Sequence, residues 1–191
     1  SVAFATTLYF YIQVVDRNKQ AIQQQNQAIA EQVASRVETI IGQSFAALRT
    51  LARHPSVIAL DAAACDRLFE QLLPDLPQHL NIIAADLQGN NRGSALRSPR
   101  DRSINYHDRE WFRKASAGMP TVGNVMLSRH TGARTVLIAQ PVMDGARQVG
   151  IVGMSLDLAK VRTGIELGER LPLGTTSNIV DAEGGVVVCI C

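Results

Sequence analysis

The chain has 191 residues, of which 46% are hydrophobic and 19% charged, and its formal net charge is +2. This length and composition predict a globular protein with one good core, or one core and part of a second, and exclude an intrinsically disordered chain. The 19 basic and 17 acidic residues are largely interspersed. The chain therefore has no overall positive field that would attract nucleic acid, and we predict no nucleic-acid partner.

The first fifteen residues carry no charge, and a cluster of charged side chains begins at Asp16. A membrane-spanning helix needs about 20 apolar residues, so this run is too short by itself. Tyr9 and Tyr11 nevertheless lie where an aromatic belt would be. We expect residues 1–15 to be the end of a membrane anchor, with a signal-peptide remnant or an ordinary buried helix end as alternatives.

Residues 16–54 are expected to form a long stalk helix. The segment Asp16–Arg53 has no proline and a single glycine, Gly42. Its apolar residues recur at helical intervals: Ile22, Ile29, Val33, Val37, Ile40, Ile41, Leu48 and Leu51. Such a helix would be on the order of 55 Å long. We interpret the excess length as a stalk above a membrane or a seam against a second copy, and Gln20–Gln32 alternatively as a structural spacer.

A second, shorter helix is predicted from Asp61 or Ala62 to Leu73. Its Cys65 stands alone, while Cys189 and Cys191 are two residues apart in a predicted strand, which is too wide for an unstrained disulfide. No Cys/His spacing is typical of a metal site. We therefore predict no metal and no cofactor.

The pattern then changes from helical to β-rich. Asn81–Asp86 predicts a strand, and Leu87–Asn91 predicts a glycine turn after it. Three further β-rich runs follow, at Val122–His130, Thr135–Val142 and Gln148–Leu156. Turns at Thr131-Gly132 and Asp144-Gly145 separate them, so the runs predict an antiparallel meander.

The segment Arg92–Asp108, between the first strand and the meander, is polar and is expected to be irregular. Four of its arginines crowd one loop: Arg92, Arg97, Arg100 and Arg102. A solvated loop is the first interpretation, and an electrostatic guide for an anionic ligand is the alternative. A short helix carrying Arg109 and Trp111 is expected next.

The C-terminal part returns to helix at Leu158–Leu171. Leu173–Val188 then repeats the opening order of strand, acidic residue, glycine turn and strand, and Asn178–Gly184 parallels Asn81–Gly89. This repetition predicts the start of a second, similar module.

The sequence contains no complete catalytic motif. Gly153-Met154-Ser155 begins like a nucleophile elbow, but Asp157 stands where the motif needs glycine. Gly150–Gly153 is too short for a dinucleotide fingerprint. The four histidines lack metal-ligand spacing and are expected in surface loops: His54, His79, His107 and His130. We therefore predict that this chain is not itself an enzyme.

Four motifs follow one another along the chain: Asp108–Ala115, Gly118–Gly123, Pro141-Val142 and Val149–Leu158. In this order they resemble the double-Cache family, the extracytoplasmic ligand-binding domains of bacterial histidine kinases, diguanylate cyclases and chemoreceptors. The resemblance runs from about Asn81 to Leu158. It implies an α+β fold in which a PAS-like, five-stranded antiparallel sheet has its helices on one side.

The resemblance also implies a domain organisation. Residues 55–160 are expected to form the membrane-distal, ligand-binding module. Residues 161–191 are expected to be a linker helix and the truncated start of the membrane-proximal module.

A periplasmic sensing region of a receptor in the bacterial inner membrane is the function that the resemblance implies. A histidine kinase is the first choice for the whole receptor, and a diguanylate cyclase or a chemoreceptor is the alternative. We expect an N-terminal membrane anchor, a homodimer formed through the long helix, and a small-molecule ligand. A domain that has lost its ligand and is only a dimerising spacer is a different alternative.

The candidate ligand-binding residues follow from the same resemblance. In the family the arginine and tryptophan of the first motif line the distal pocket, which implies Arg109 and Trp111 here, with Phe112 where many members carry tyrosine. An arginine fork binds a carboxylate through two parallel hydrogen bonds. Alternatively, Trp111 and Phe112 belong to the core, and Arg109 pairs with Asp108 or Glu110.

The chain departs from the amino-acid-binding branch of the family. There, a tyrosine and two aspartates hold the ammonium group of the ligand, and the corresponding positions fall near Met126, Ser128 and Met154. Neither methionine nor serine neutralises a desolvated ammonium. We therefore predict a small organic acid as ligand, with Tyr106 and Gln140 as further candidate contacts.

Overall fold

The computed structural model describes residues 2–96, 101–168, 177–180 and 186–190. The helices in these ranges are α1 (Val2–Leu51), α2 (Pro55–Ile58), α3 (Ala62–Leu72), α4 (Glu110–Ser116) and α5 (Leu158–Gly168). The strands are β1 (His79–Asp86), β2 (Asn91–Ser94), β3 (Thr121–Val122), β4 (Met126–Leu127), β5 (Arg134–Asp144), β6 (Arg147–Asp157), β7 (Ser177–Val180) and β8 (Val186–Ile190). Single turns of 3-10 helix occur at Leu73–Asp75 and Asp101–Ser103.

Helix α1 begins at Val2 and ends at Leu51, so it includes residues 2–15 of the segment that the sequence suggested as an anchor. Residues 1–39 form one compact unit and residues 40–191 another. In the first unit the aromatic side chains of Tyr9, Phe10 and Tyr11 are exposed. Among the described residues, no helix combines the length and the apolar character that crossing a membrane requires.

The main sheet is antiparallel throughout, with strand order β2-β1-β6-β5-β3 and with β4 also paired to β5. This confirms the predicted α+β, PAS-like fold. The strand count differs because the predicted strand Val122–His130 is broken into β3 and β4. Between them Asn124 leaves the sheet and donates a hydrogen bond to Glu110 of α4. Strand β2 lies at the start of the segment that was predicted to be irregular.

Helices cover both faces of the main sheet, not one as expected. Alternate side chains of a strand point to opposite faces, and the core divides accordingly. On one face, Leu48 of α1 and Phe69 of α3 pack with Ile82, Ile138 and other strand residues. On the other face, Trp111, Phe112 and Ala115 of α4 pack with the alternate positions of the same strands, Ile83, Leu137 and Ile151.

The turn between β1 and β2 holds the segment that leads to α4. Gly89 accepts a hydrogen bond from the backbone N–H of Tyr106 at 2.8 Å. Its φ of +84° favours glycine, and a Cβ there would lie 2.7 Å from the backbone nitrogen of His107. Asp86 closes the turn by accepting hydrogen bonds from Asn90 and Arg92. Burial alone would raise the pKa of Asp86, but these hydrogen bonds outweigh it and lower that pKa.

The C-terminal strands β7 and β8 pair antiparallel as a two-stranded sheet, as the predicted strand–turn–strand repeat requires. The predicted turn, residues 181–185, and the predicted end of the preceding helix, residues 169–171, lie outside the described residues.

His79 is not in a surface loop as expected, because it is buried at the start of β1. Its Nε2 lies 2.9 Å from Oγ of Ser44 in α1. Burial lowers the pKa of His79, since a buried site disfavours the charged imidazolium, and a contact with the Leu76 carbonyl counteracts this in part.

We therefore expect the domain to lose stability as pH falls below the ordinary histidine pKa of 6.5. In that range the unfolded chain binds a proton that the folded chain excludes, so the contribution of His79 is complete above pH 6.5 and is lost on acidification. Melting temperatures measured from pH 7.5 to 5.5 test this. The variant His79→Gln should show a shallower decline than the wild type. His107→Gln, which changes an exposed histidine, is the control, and equal slopes in all three proteins would contradict the prediction.

Candidate functional site

The candidate site is a small cavity on the α4 face of the main sheet. Its volume is about 20 Å³, which is room for about one water molecule. It is lined by Ile83, Tyr106, Arg109, Trp111, Met126, Leu127, Ser128, Arg129, His130, Thr135, Leu137 and Ser155. These residues come from β1, β4, β5, β6, the start of α4 and the two loops that flank these elements.

Arg109 stands at the N-cap of α4 with extended backbone angles, φ −81° and ψ 136°. The side chain is half-buried, and one Nη donates a 3.3 Å hydrogen bond to the carbonyl of Leu127. The pKa of Arg109 is lowered, first by desolvation and then by the nearby guanidinium of Arg129, with Asp108 opposing. The site therefore holds a positive charge that the protein solvates incompletely.

The acidic neighbours that could have neutralised Arg109 are engaged elsewhere. Asp108 pairs with Arg129, with 2.6 Å between Oδ2 and Nη2. Glu110 pairs with Lys114, with 2.6 Å between Oε1 and Nζ. Within the described ranges, Arg109 makes no ion pair, so the structure does not support the alternative that it is a surface partner of Asp108 or Glu110.

Arg129 is the second guanidinium of the cavity. It donates hydrogen bonds to the backbone carbonyl of Asn105 and to Asp108. The hydrogen bond from Arg129 is the main reason why the pKa of Asp108 is lowered. The Asp108 side chain is exposed to 66%, so this pair lies at the boundary between the cavity and solvent.

Aromatic rings form one side of the cavity. The rings of Tyr106 and Trp111 lie 5.4 Å apart, and the hydroxyl of Tyr106 is 2.7 Å from Nε2 of His130. The indole Nε1 of Trp111 is buried and finds no hydrogen-bond acceptor among the described residues. A buried N–H without an acceptor is costly, and buried tryptophan normally has one.

The hydroxyl groups of the cavity have mainly structural partners. Oγ of Ser128 accepts hydrogen bonds from the backbone N–H groups of His130 and Thr131, both at 3.3 Å, and so shapes the turn before β5. Oγ1 of Thr135 donates to the carbonyl of Leu156 at 2.7 Å.

Five of the eight candidate residues predicted from the sequence line this cavity: Tyr106, Arg109, Trp111, Met126 and Ser128. The other three do not line it. Met154 pairs across strands with Ile138, and both point into the core on the opposite face. Gln140 pairs with Val152, which lies in that same core. Phe112 is buried against Trp111, with ring centroids 5.8 Å apart, and does not line the cavity.

Four polar residues of the site were missed: Arg129, His130, Thr135 and Ser155. Ser155 is adjacent to Met154, and a shift of one residue along a strand reverses the face. Thr135 and Leu137 are two positions apart in β5 and therefore point to the same face of the sheet, so strand periodicity could have identified Thr135. His130 lies in a loop, as expected, but it is half-buried and contacts Tyr106. No local pattern in the sequence signals that contact or the position of Arg129.

The cavity lining has a single sign of charge. Arg109 and Arg129 contribute guanidinium groups, and none of the described lining residues is aspartate or glutamate. In the described part of the chain, no cluster of His, Cys, Asp and Glu suitable for a metal ion occurs. The arrangement can therefore bind an anion with aromatic walls on one side, and it offers nothing to neutralise a cation.

A larger depression of about 540 Å³ lies near the other end of β1, where leucines and prolines predominate in its lining. Its charged residues, Glu70 and Lys160, have opposite signs. Size favours this depression, but the chemistry for recognising a ligand is concentrated in the smaller cavity beside α4.

Residues 16–189 match the Cache domain family. Among solved structures, the sensor domain of the V. cholerae histidine kinase DctB is similar, with 19% identity, a TM-score of 0.74, and coverage of 89% of this chain and 67% of that one. The E. coli DcuS sensor domain has 21% identity and a TM-score of 0.54, over 69% of this chain and 98% of that one.

The ligand-binding domain of the Pseudomonas fluorescens chemoreceptor CtaA, solved with L-serine, is also similar, with 19% identity, a TM-score of 0.67, and coverage of 83% of this chain and 67% of that one. At these identities the similarity concerns the fold. No curated protein sequence matches the chain.

Proposed function

The chain belongs to the Cache domain family, and on that premise we propose that it is the extracytoplasmic sensing domain of a bacterial membrane receptor and binds a small carboxylate in the cavity beside α4. The proposed contacts are Arg109, Trp111, Tyr106, Met126 and Ser128, to which the geometry adds Arg129 and His130. The module would bind its ligand without transforming it.

The observation that supports a carboxylate is the half-buried guanidinium of Arg109, which has no acidic partner among the described residues. A guanidinium presents two parallel N–H groups that match the two oxygens of a carboxylate. The N–H of Trp111, buried without an acceptor, would gain one from the same group.

The absence of acidic side chains from the described lining distinguishes carboxylates from amino acids. CtaA was solved with L-serine, and the Pseudomonas aeruginosa chemoreceptor PctB with L-Gln. An amino acid would bring an ammonium group into the cavity beside Arg109 and Arg129. Since a desolvated ammonium needs a negative or strongly accepting partner, a ligand without an ammonium fits this cavity better.

For the whole receptor we propose a sensor histidine kinase, as in the similar DctB, with a chemoreceptor or a diguanylate cyclase as the alternative. Residues 1–15 would belong to a membrane anchor, and residues 16–54 would form a homodimer seam that carries the ligand-induced change toward the membrane. A dimerising spacer without a ligand is the competing function, and the guanidinium of Arg109, which has no acidic partner among the described residues, argues against it.

Calorimetric titration decides between these functions. Acetate, succinate and citrate form a series of one, two and three carboxylates, and L-serine and L-alanine represent amino acids. We expect at least one acid of the series to bind and to raise the melting temperature, because a ligand at about 100 times its Kd stabilises the folded state by about 2.7 kcal/mol. Tight binding of an amino acid without a response to the acids would overturn the carboxylate proposal, and no response to either class would favour the spacer.

A further inference from the structure

The segment Gly123–Ala133, here called the flap, forms one wall of the cavity. Polar contacts join the flap to residues 105–109 on the other side of the cavity. They run from Arg109 to the Leu127 carbonyl, between Tyr106 and His130, and from Arg129 to Asn105 and Asp108. The space beside these contacts, about 20 Å³ and partly open to solvent, has room for about one water molecule. A carboxylate that reaches both Arg109 and Arg129 would therefore exchange some of these contacts.

Of these contacts, the ion pair between Arg129 and Asp108 is the one that a carboxylate ligand can replace, because the ligand carries the same group as the Asp108 side chain. Asp108 presents a carboxylate to Nη2 of Arg129 at 2.6 Å, and Arg129 also lines the cavity. The Asp108 side chain is 66% exposed. An ion pair with so exposed a partner contributes little to stability, so releasing it costs the folded domain little.

We infer that Asp108 is an intramolecular competitor of the ligand, which occupies Arg129 in the ligand-free domain and thereby sets the affinity of the cavity for carboxylates. This inference rests on the proposed function. On binding, the carboxylate of the ligand takes the place of Asp108 on Arg129, so that both guanidiniums of the cavity face the ligand, and Asp108 moves into solvent.

The charges around Arg109 agree with this exchange. Arg129 disfavours the positive charge on Arg109, whereas Asp108 favours it. A carboxylate bound between the two guanidiniums would supply the negative charge that Asp108 now supplies from the edge of the site. Asp108 therefore both compensates the site in the absence of ligand and competes with the ligand for it.

The test is the substitution Asp108→Asn, which removes the charge and keeps the shape. Carboxylate affinity should rise by up to about fivefold, as expected for loss of an exposed ion pair. The titration uses the acid among acetate, succinate and citrate that binds the wild type most tightly. The matched control is Asp144→Asn, which removes an equal charge from an exposed pair with Arg147 outside the cavity lining and should leave the affinity unchanged.

A double-mutant cycle shows whether Asp108 acts through Arg129. In an Arg129→Ala background, Asp108→Asn should no longer raise the affinity. If the wild type binds a carboxylate but Asp108→Asn leaves the affinity equal or lower, the competitor role is overturned and the proposed function stands. If no acid binds the wild type or Asp108→Asn, the proposed function fails, and the competitor role fails with it.

Discussion

The variant Arg109→Ala is expected to bind carboxylates about tenfold to a hundredfold more weakly than the wild type and to remain folded. A hydrogen bond to a charged group contributes about 1.5–3 kcal/mol, which corresponds to this range of affinity. Stability should change much less, because within the described ranges the side chain of Arg109 makes one 3.3 Å hydrogen bond, to Leu127, and no ion pair.

Isothermal titration and melting temperature, both measured on the same preparation, test this expectation. Arg113→Ala is the matched control, since Arg113 is an exposed arginine of α4 whose side chain donates a 3.4 Å hydrogen bond to the carbonyl of Asp108. Arg109→Lys keeps the charge but loses the planar fork, and its affinity should be intermediate. Unchanged affinity in a folded Arg109→Ala protein would remove Arg109 from the site and with it most of the case for a carboxylate.

The substitution Gly93→Ala is expected to destabilise the domain by about 1–3 kcal/mol, the usual cost of overpacking a core. A Cβ at Gly93 would lie 2.5 Å from Cβ of Cys65 and 3.0 Å from a ring carbon of Phe69. Both of these α3 side chains are fully buried. Helix α3 would have to move away from β2, and the melting temperature should fall by several degrees.

Gly42→Ala provides a control with the opposite sign. Gly42 lies inside α1, and a Cβ there would meet no heavy atom within 4 Å. Alanine is a better helix former than glycine by about 1 kcal/mol, so this variant should melt at a higher temperature than the wild type. If Gly93→Ala melted like the wild type, the close packing of α3 on β2 described above would be wrong.

Much of the fold was predictable because its signals are local. The long helix follows from apolar spacing and the absence of proline between Asp16 and Arg53, and the hairpin between β5 and β6 follows from Asp144-Gly145. The start of α1 was less predictable, because the uncharged residues 2–15 belong to the same helix. Helices on both faces of the sheet could not be foreseen, since alternation along strands does not say which helix covers which face.

The residues of the candidate site likewise separate into those that a local motif identifies and those that depend on strand register. Arg109 and Trp111 were identified from a motif within one short segment, and both line the cavity. Met154 and Gln140 lie away from this cavity because the face of a strand residue depends on register, and one residue separates Met154 in the core from Ser155 in the cavity.

The sequence by itself therefore determined most of the elements, the antiparallel sheet and the arginine and tryptophan of the cavity, because periodicity, turn residues and motifs act over a few neighbouring positions. Only the tertiary structure decided which side chains meet. The flap brings Arg129 and His130 to residues more than 20 positions earlier in the chain, namely Asp108 and Tyr106. Contacts of that kind arise from the packing of a whole sheet and leave no local pattern in the chain.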